Sequence, residues 1–268
     1  MELTLLFIAM ITAPPACFSQ AHVQAAPGSS ASISQIVPPP PSYHFPDGER
    51  FVYSVEWHMF NAGTATILLQ RSASGEHLIS TADSAGMVNK MFPVHDVFQA
   101  EINPRTFCTS DISKHAEEGS RRLDRRVRFD YSQSKSQVDE HDLKTGDLKH
   151  AEYDIPPCVT DVVSGFFYAS SLRLQPGLSQ VFPVNDRGKT TDVRIEVESR
   201  ERVKVPSGEF ETLRVKAEPL SGAMKAKGVL WVWFSDDERH IPVQMKSKLG
   251  YGTLLFKLQR IEPEPVEK

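Results

Sequence analysis

From Arg50 to His58 the chain reads Arg-Phe-Val-Tyr-Ser-Val-Glu-Trp-His. On an extended backbone Phe51, Tyr53, Val55 and Trp57 point to one side, and Val52, Ser54, Glu56 and His58 to the other. The same period of two returns at Val193, Ile195 and Val197, set between Asp192, Arg194, Glu196 and Glu198, and again at Leu254, Phe256 and Leu258. Such alternation is the mark of strands with one buried and one solvated face. Val229–Phe234 (VLWVWF) is apolar in both phases and reads as a central strand covered on both sides. Between these runs stand Asn61-Ala62-Gly63, Ser74-Gly75, Thr145-Gly146, Asp186-Arg187-Gly188 and Pro206-Ser207-Gly208, each suited to a tight reversal. Reversals every 8 to 15 residues predict hairpins and meanders, hence antiparallel pairing. About a dozen strands are too many for a flat sheet. The expected fold is therefore mainly β, a strongly curved antiparallel sheet or partial β-barrel with one helix packed on it. That helix is read over Thr160–Leu174, with Thr160 as N-cap and Asp161 in the first turn, after Pro156-Pro157 and before Pro176-Gly177.

The 268 residues are 40% apolar and 24% charged, which excludes collagen-like, disordered and multi-span membrane classes. A net charge of −4 gives no reason to expect nucleic acid as a partner. Leu3–Thr12 is too short an apolar run to cross a bilayer but suits a secretory leader. Small-residue cleavage patterns follow at Ser19-Gln20-Ala21 and Val23-Gln24-Ala25, although the leader lacks a basic start. Residues 1–25 are thus expected to be a signal peptide, which places the chain in the periplasm or outer envelope with no transmembrane span once the leader is removed. A lipid on Cys17 is disfavoured because Pro14 holds the position where an aliphatic residue belongs. Residues 26–46, with the prolines Pro38–Pro41, read as a disordered Pro/Ser-rich linker, residues 47–261 as one β-rich domain, and residues 262–268 as a disordered tail.

Few constellations suggest chemistry. Arg121, Arg122, Arg125, Arg126 and Arg128 put five guanidiniums into eight residues, an arrangement that suits an anion site. The competing reading is a solvated strand face carrying Arg122, Asp124, Arg126, Arg128 and Asp130, with Arg125 alone in the apolar phase, guarding an edge. The interspersed aspartates favour the second reading. Trp57, Trp231 and Trp233 are candidates to line a ligand cavity, against the plainer role of core aromatics. Asp96, Glu101, Asp130 and Asp161 are the carboxylates from which an acid/base pair for glycan cleavage would be drawn. No zinc-protease histidine pair or Cys-x-x-Cys occurs, so neither a metal nor a cofactor is expected. Cys108 and Cys158 remain after the leader, and an even pair in an oxidising compartment predicts a disulfide.

Several stretches taken together resemble a known family. They are Phe51–Trp57 with Ala62-Gly63, His95–Phe98, Arg128–Asp130, Asp161–Tyr168, Val205–Phe210, and Trp233–Asp237 leading to Ile241–Val243. In order and spacing they are similar to the exported bacterial proteins called domain of unknown function 3108, over about residues 46–261. The resemblance implies a β-rich envelope protein and brings no catalytic residues with it. At Ala169–Leu172 the chain departs from the Tyr-Arg pair commoner in the family, and Arg173 stands nearby. The function expected is non-catalytic: binding of an amphiphilic or lipid-like ligand or of an envelope partner. A structural or assembly role without a ligand, or a carboxylate-dependent glycan hydrolase, are the alternatives.

Overall fold

The computed structural model describes residues 34–72, 75–225, 228–249 and 252–263, so the expected leader, Cys17 and the last five residues lie outside it. The described residues hold fifteen strands. In the first half these are β1 (Glu49–Trp57), β2 (Phe60–Arg71), β3 (Glu76–Ser84), β4 (Val94–Ile102), β5 (Thr109–Glu118), β6 (Arg121–Asp130), β7 (Lys135–Asp142) and β8 (Leu148–Asp154). In the second half they are β9 (Thr160–Asp161), β10 (Ser179–Asp186), β11 (Lys189–Val205), β12 (Gly208–Pro219), β13 (Val229–Ser235), β14 (Pro242–Leu249) and β15 (Gly252–Pro263). Helix α2 (Ser164–Ser171) lies where one helix was expected, and two short ones, α1 (Gly86–Met91) and α3 (Gly222–Lys225), add to it.

All strands belong to one sheet in the order β8 to β1, then β15 back to β9. Every pairing but one joins strands consecutive in the chain, and all are antiparallel except β9 with β10. The exception in sequence is β1 with β15, which joins the two ends of the chain in the middle of the sheet. Five residues, 155–159, carry the chain from edge strand β8 to edge strand β9. Five residues reach less than about 20 Å, so the sheet must curl until its edges meet. They meet by overlapping, as in a scroll. Val159 and Asp161 hydrogen-bond to Thr109 at the start of β5, and Ser136 Oγ in β7 donates to Gly188 O in the β10–β11 turn at 2.7 Å. Gly188 has a positive φ of 82°, and a Cβ there would stand 2.2 Å from Val138 Cγ2, so the overlap requires glycine. Cys108 and Cys158 are joined in a disulfide, Cα atoms 5.1 Å apart, which fastens the approach to β9 onto the approach to β5.

Inside the scroll lies α2, with all eight residues buried. It is shorter than Thr160–Leu174 for a local reason. Asp161 turns its carboxylate back to accept from the backbone N–H groups of Val163 and Ser164, both at 2.9 Å, and from the Ser164 hydroxyl. Those contacts satisfy the free donors of the first turn. Thr160 and Asp161 pair with Val184 and Asn185 and are strand instead of helix. Phe167 packs near Phe51, and Tyr168 lies edge-on to Phe107 and Phe182.

Residues 34–46, part of the stretch expected as a linker, run along α2. The Val37 N–H donates to the Tyr168 hydroxyl at 3.2 Å, and the Tyr43 hydroxyl donates to Phe167 O at 3.2 Å. The rings of Tyr43, Phe45 and Phe107 pack together beneath this strap. Asp47, where the strap enters β1, lies beside Glu76, a buried side chain at the start of β3. Burial, aided by the Asp47 charge and opposed by Arg71, pushes the Glu76 carboxyl up to about 7. At the other end, β15 pairs through Pro263, two residues into the stretch expected as tail.

Replacing Cys108 and Cys158 by serine reopens a loop of about 50 residues and is expected to lower stability by about 4 kcal/mol, read as a lower urea midpoint. Glu76 has a folded pKa above its ordinary 4.5, so its stabilising contribution is complete below pH 4.5 and lost as pH rises through 7. Between pH 5 and 8 the natural chain should therefore lose about 1–3 kcal/mol of stability relative to Glu76→Gln, a difference that urea titrations at both pH values will measure.

Candidate functional site

Between the N-terminal end of α2 and the sheet lies an apolar cavity of about 200 Å³. Val163, at the N-cap position of α2, and Phe166 within it form its floor. Tyr53, Val55 and Trp57 of β1 and Met245, Leu254 and Phe256 of β14 and β15 supply bulky walls. Opposite them, Ala62, Gly63 and Ala65 of β2 and Ala82 of β3 are small, and the space exists because of that mismatch. Val88 and Met91 of α1, with Phe92, stand at the rim. The polar groups of the wall are spent within the protein. The buried Tyr53 hydroxyl donates to Pro242 O at 2.8 Å, and Ser80 Oγ donates to Thr66 O at 2.9 Å. Burial drives the Tyr53 phenol far above its ordinary value, so it stays neutral. What faces the cavity is hydrocarbon; the indole N–H of Trp57, buried and without a hydrogen bond, lies beside Gly252.

Of the three tryptophans, the structure brings only Trp57 to this cavity. On β13 it is Leu230, Val232 and Phe234 that face α2, around a second cavity of about 50 Å³ shared with Val215 and Ala217. Trp231 and Trp233 project from the opposite face. Trp231 sits in register with Lys216 and Lys246, and Trp233, itself buried with its indole N–H unpaired, with Arg214. An apolar run in both phases carries no information about which side is inner, and that is why the pair was drawn toward the cavity.

The arginines of β6 are matched one by one. Arg122 pairs with Glu117 at 3.3 Å, Arg126 with Asp111 at 3.0 Å, and Arg128 with Asp139. The solvated-face reading suits these three. Arg125 does not guard an edge, because β6 lies between β5 and β7; its buried guanidinium turns into the scroll and meets Glu140 at 2.6 Å. Nearby on the same inner face is a group that the sequence reading missed. Buried Lys114 lies 3.0 Å from buried Asp96 and 3.4 Å from buried Glu118. Burial pushes the Glu118 carboxyl up to about 7 despite the pull of the Lys114 ammonium. The available signal was phase: Lys114 alternates with Ile112 and Ala116, as Arg125 does with Leu123 and Val127. A charge in the apolar phase of a strand marks an interior ion pair.

The four candidate carboxylates each have a structural task. Asp96 neutralises Lys114 and accepts from the Glu117 N–H, and Asp161 caps α2 and accepts from Thr109 Oγ1 at 2.9 Å. Burial pushes the Asp161 carboxyl upward, against the hydrogen bonds from Ser164 and Thr109. Asp130 holds the β6–β7 turn by accepting from the Ser132 and Gln133 N–H groups, both at 3.0 Å. Glu101 binds His77 at 2.6 Å and accepts from Ser72 Oγ at 2.9 Å. Among the described residues no group of three His, Cys, Asp or Glu side chains is placed to hold a metal, and no helix is long and apolar enough to cross a membrane.

Fold and site together define a β-barrel-like protein whose single sheet encloses a buried helix and an apolar cavity. Comparison with known families makes the assignment specific: residues 52–259 match the family described as protein of unknown function (DUF3108), and the chain belongs to it. No curated protein matches the chain in sequence. Among solved structures, a β-barrel-like protein of domain of unknown function DUF1849 from Brucella abortus has a similar fold. Its TM-score is 0.56 at 8% identity, over 81% of this chain and 98% of that one. A candidate exported protein with a YmcC-like fold from Bacteroides fragilis is more distant, with a TM-score of 0.36 at 10% identity, over 86% of this chain and 100% of that one.

Lys114→Met removes the ammonium 3.0 Å from the buried Asp96 carboxylate and is expected to cost about 3 kcal/mol or more in urea unfolding. Adding Asp96→Asn to it should recover most of that loss.

Proposed function

We propose that this is an exported, non-catalytic protein of the bacterial envelope that binds one amphiphilic, lipid-like ligand with its apolar part in the cavity beside α2. The single observation that carries this reading is the cavity itself, about 200 Å³ lined by hydrocarbon between bulky β1, β14 and β15 and small β2 and β3. Concave apolar sites with few polar groups are the usual form of small-molecule pockets. A purely structural role would be served better by a filled interior, since empty space lined by apolar atoms forfeits dispersion contacts. Export is supported by the apolar run Leu3–Thr12 with its small-residue cleavage patterns, and by the disulfide, a bond that persists in oxidising compartments. In this reading residues 1–25 are removed, and the working domain is residues 47–261 together with the strap 34–46 and the end of β15.

The test is purification from the envelope followed by mass spectrometry of co-purifying lipid, together with titration of a fluorescent fatty acid. Saturable binding is expected, with Ala82→Phe, which fills the cavity from β3, weakening it at least about tenfold while the circular dichroism spectrum is retained. A chain that carries no amphiphile and binds the probe no better than Ala82→Phe would overturn the proposal.

A further inference from the structure

The mouth of the cavity is built unlike the rest of the surface. Met59 is 93% exposed and Phe60 72% at the β1–β2 hairpin tip, while Met87 and Met91 of α1 are 75% and 74% exposed. The Ala85 N–H donates to Ala62 O at 2.8 Å, which seats α1 against the base of that hairpin, so the four side chains gather at one end of the scroll. No residue of α1 is buried, so the helix contributes little to the core. The hairpin turns at His58 and Met59, both at positive φ, a conformation that Asn or Gly adopts with less strain. The turn expected at Asn61-Ala62-Gly63 therefore lies earlier, at His58 and Met59, and it leaves Met59 and the first residue of β2, Phe60, exposed to solvent.

We infer that this rim is a docking surface for a lipid bilayer. Three features favour that occupant. First, Met91 belongs to both the rim and the cavity lining, so the exposed apolar groups are continuous with the space they surround. Second, the one charge that α1 carries in its last turn is basic, Lys90, and its first turn holds no acidic residue, so the helix end facing the rim suits a headgroup region. Third, the rim is a projecting tip of unbranched and aromatic side chains, which inserts into a fluid interface and needs no matching pocket. The inference deepens the amphiphile reading and rests on it for its purpose: a ligand with a low aqueous concentration would pass between membrane and cavity without crossing water.

The test is flotation with vesicles of phosphatidylcholine alone and with about one-third phosphatidylglycerol, using the processed chain from a Cys17→Ser precursor, so that neither the leader's apolar run nor an acyl anchor contributes. Flotation is expected with both, stronger on the anionic vesicles, and Ala82→Phe should float equally. The triple variant Met59→Ser, Phe60→Ser, Met87→Ser changes only exposed side chains and should partition at least about tenfold less, while binding the fatty-acid probe as before in vesicle-free solution. No flotation of the Cys17→Ser chain, or equal flotation of the triple variant, overturns the inference. So does a dimer in light scattering that the triple variant abolishes while flotation is absent, since the rim would then belong to a second copy. Rim-dependent flotation by a chain that binds no probe supports the docking surface and removes the amphiphile reading instead.

Discussion

A helix buried on every side needs a wall on every side, and that requirement organises this molecule. The eight residues of α2 cannot be covered by a flat sheet, so the sheet rolls around them. The cost of enclosing a helix end falls on its unpaired N–H groups. Asp161 meets that cost from within the chain entering the helix, itself fixed by Thr109 and by pairing with β10. The disulfide and Gly188 act at the same overlap, one by tethering and one by leaving room. Capping, closure and burial are thus one arrangement.

Enclosure is not uniform. On one side α2 is sealed by the strap and the aromatic group around Tyr43, Phe45 and Phe107. Toward α1 the alanines of β2 and β3 stand back, and hydrocarbon faces empty space. Across β4 to β7 the inner face carries the Asp96, Lys114 and Glu118 group and the Arg125–Glu140 pair. Buried ion pairs repay their desolvation only when both partners are present. The interior is therefore divided between an apolar region beside α1 and a charged region across β4 to β7.

Strand content was legible because alternation is local: Phe51 to Trp57 and Val193 to Val197 needed only their own phase. The extent of α2 was overread because Thr160 and Asp161 look like the opening of a helix, whereas pairing with Val184 and Asn185 claims them for the sheet. Phase puts Trp57 on the same face as Tyr53 and Val55, whereas an apolar run in both phases leaves the side taken by Trp231 and Trp233 open. Arg125 was noticed as out of phase, yet its partner Glu140 lies on another strand and could not be read from β6 alone. The family resemblance extends to the whole domain, and residues 52–259 belong to it. The pairing of β1 with β15 left no local trace.

That pairing governs the order in which the molecule can assemble. Hairpins from β1 to β8 and from β10 to β15 can form as soon as each is made, but the two halves become one sheet only when the last strand is available. Until then β1 and β14 each present an open edge, the kind that recruits other chains. Loop-closure entropy makes a contact between residues some two hundred positions apart slow to form. A polypeptide stopped short of β15 is thus two half-shells with sticky margins, and the twelve residues of that strand act as the zip.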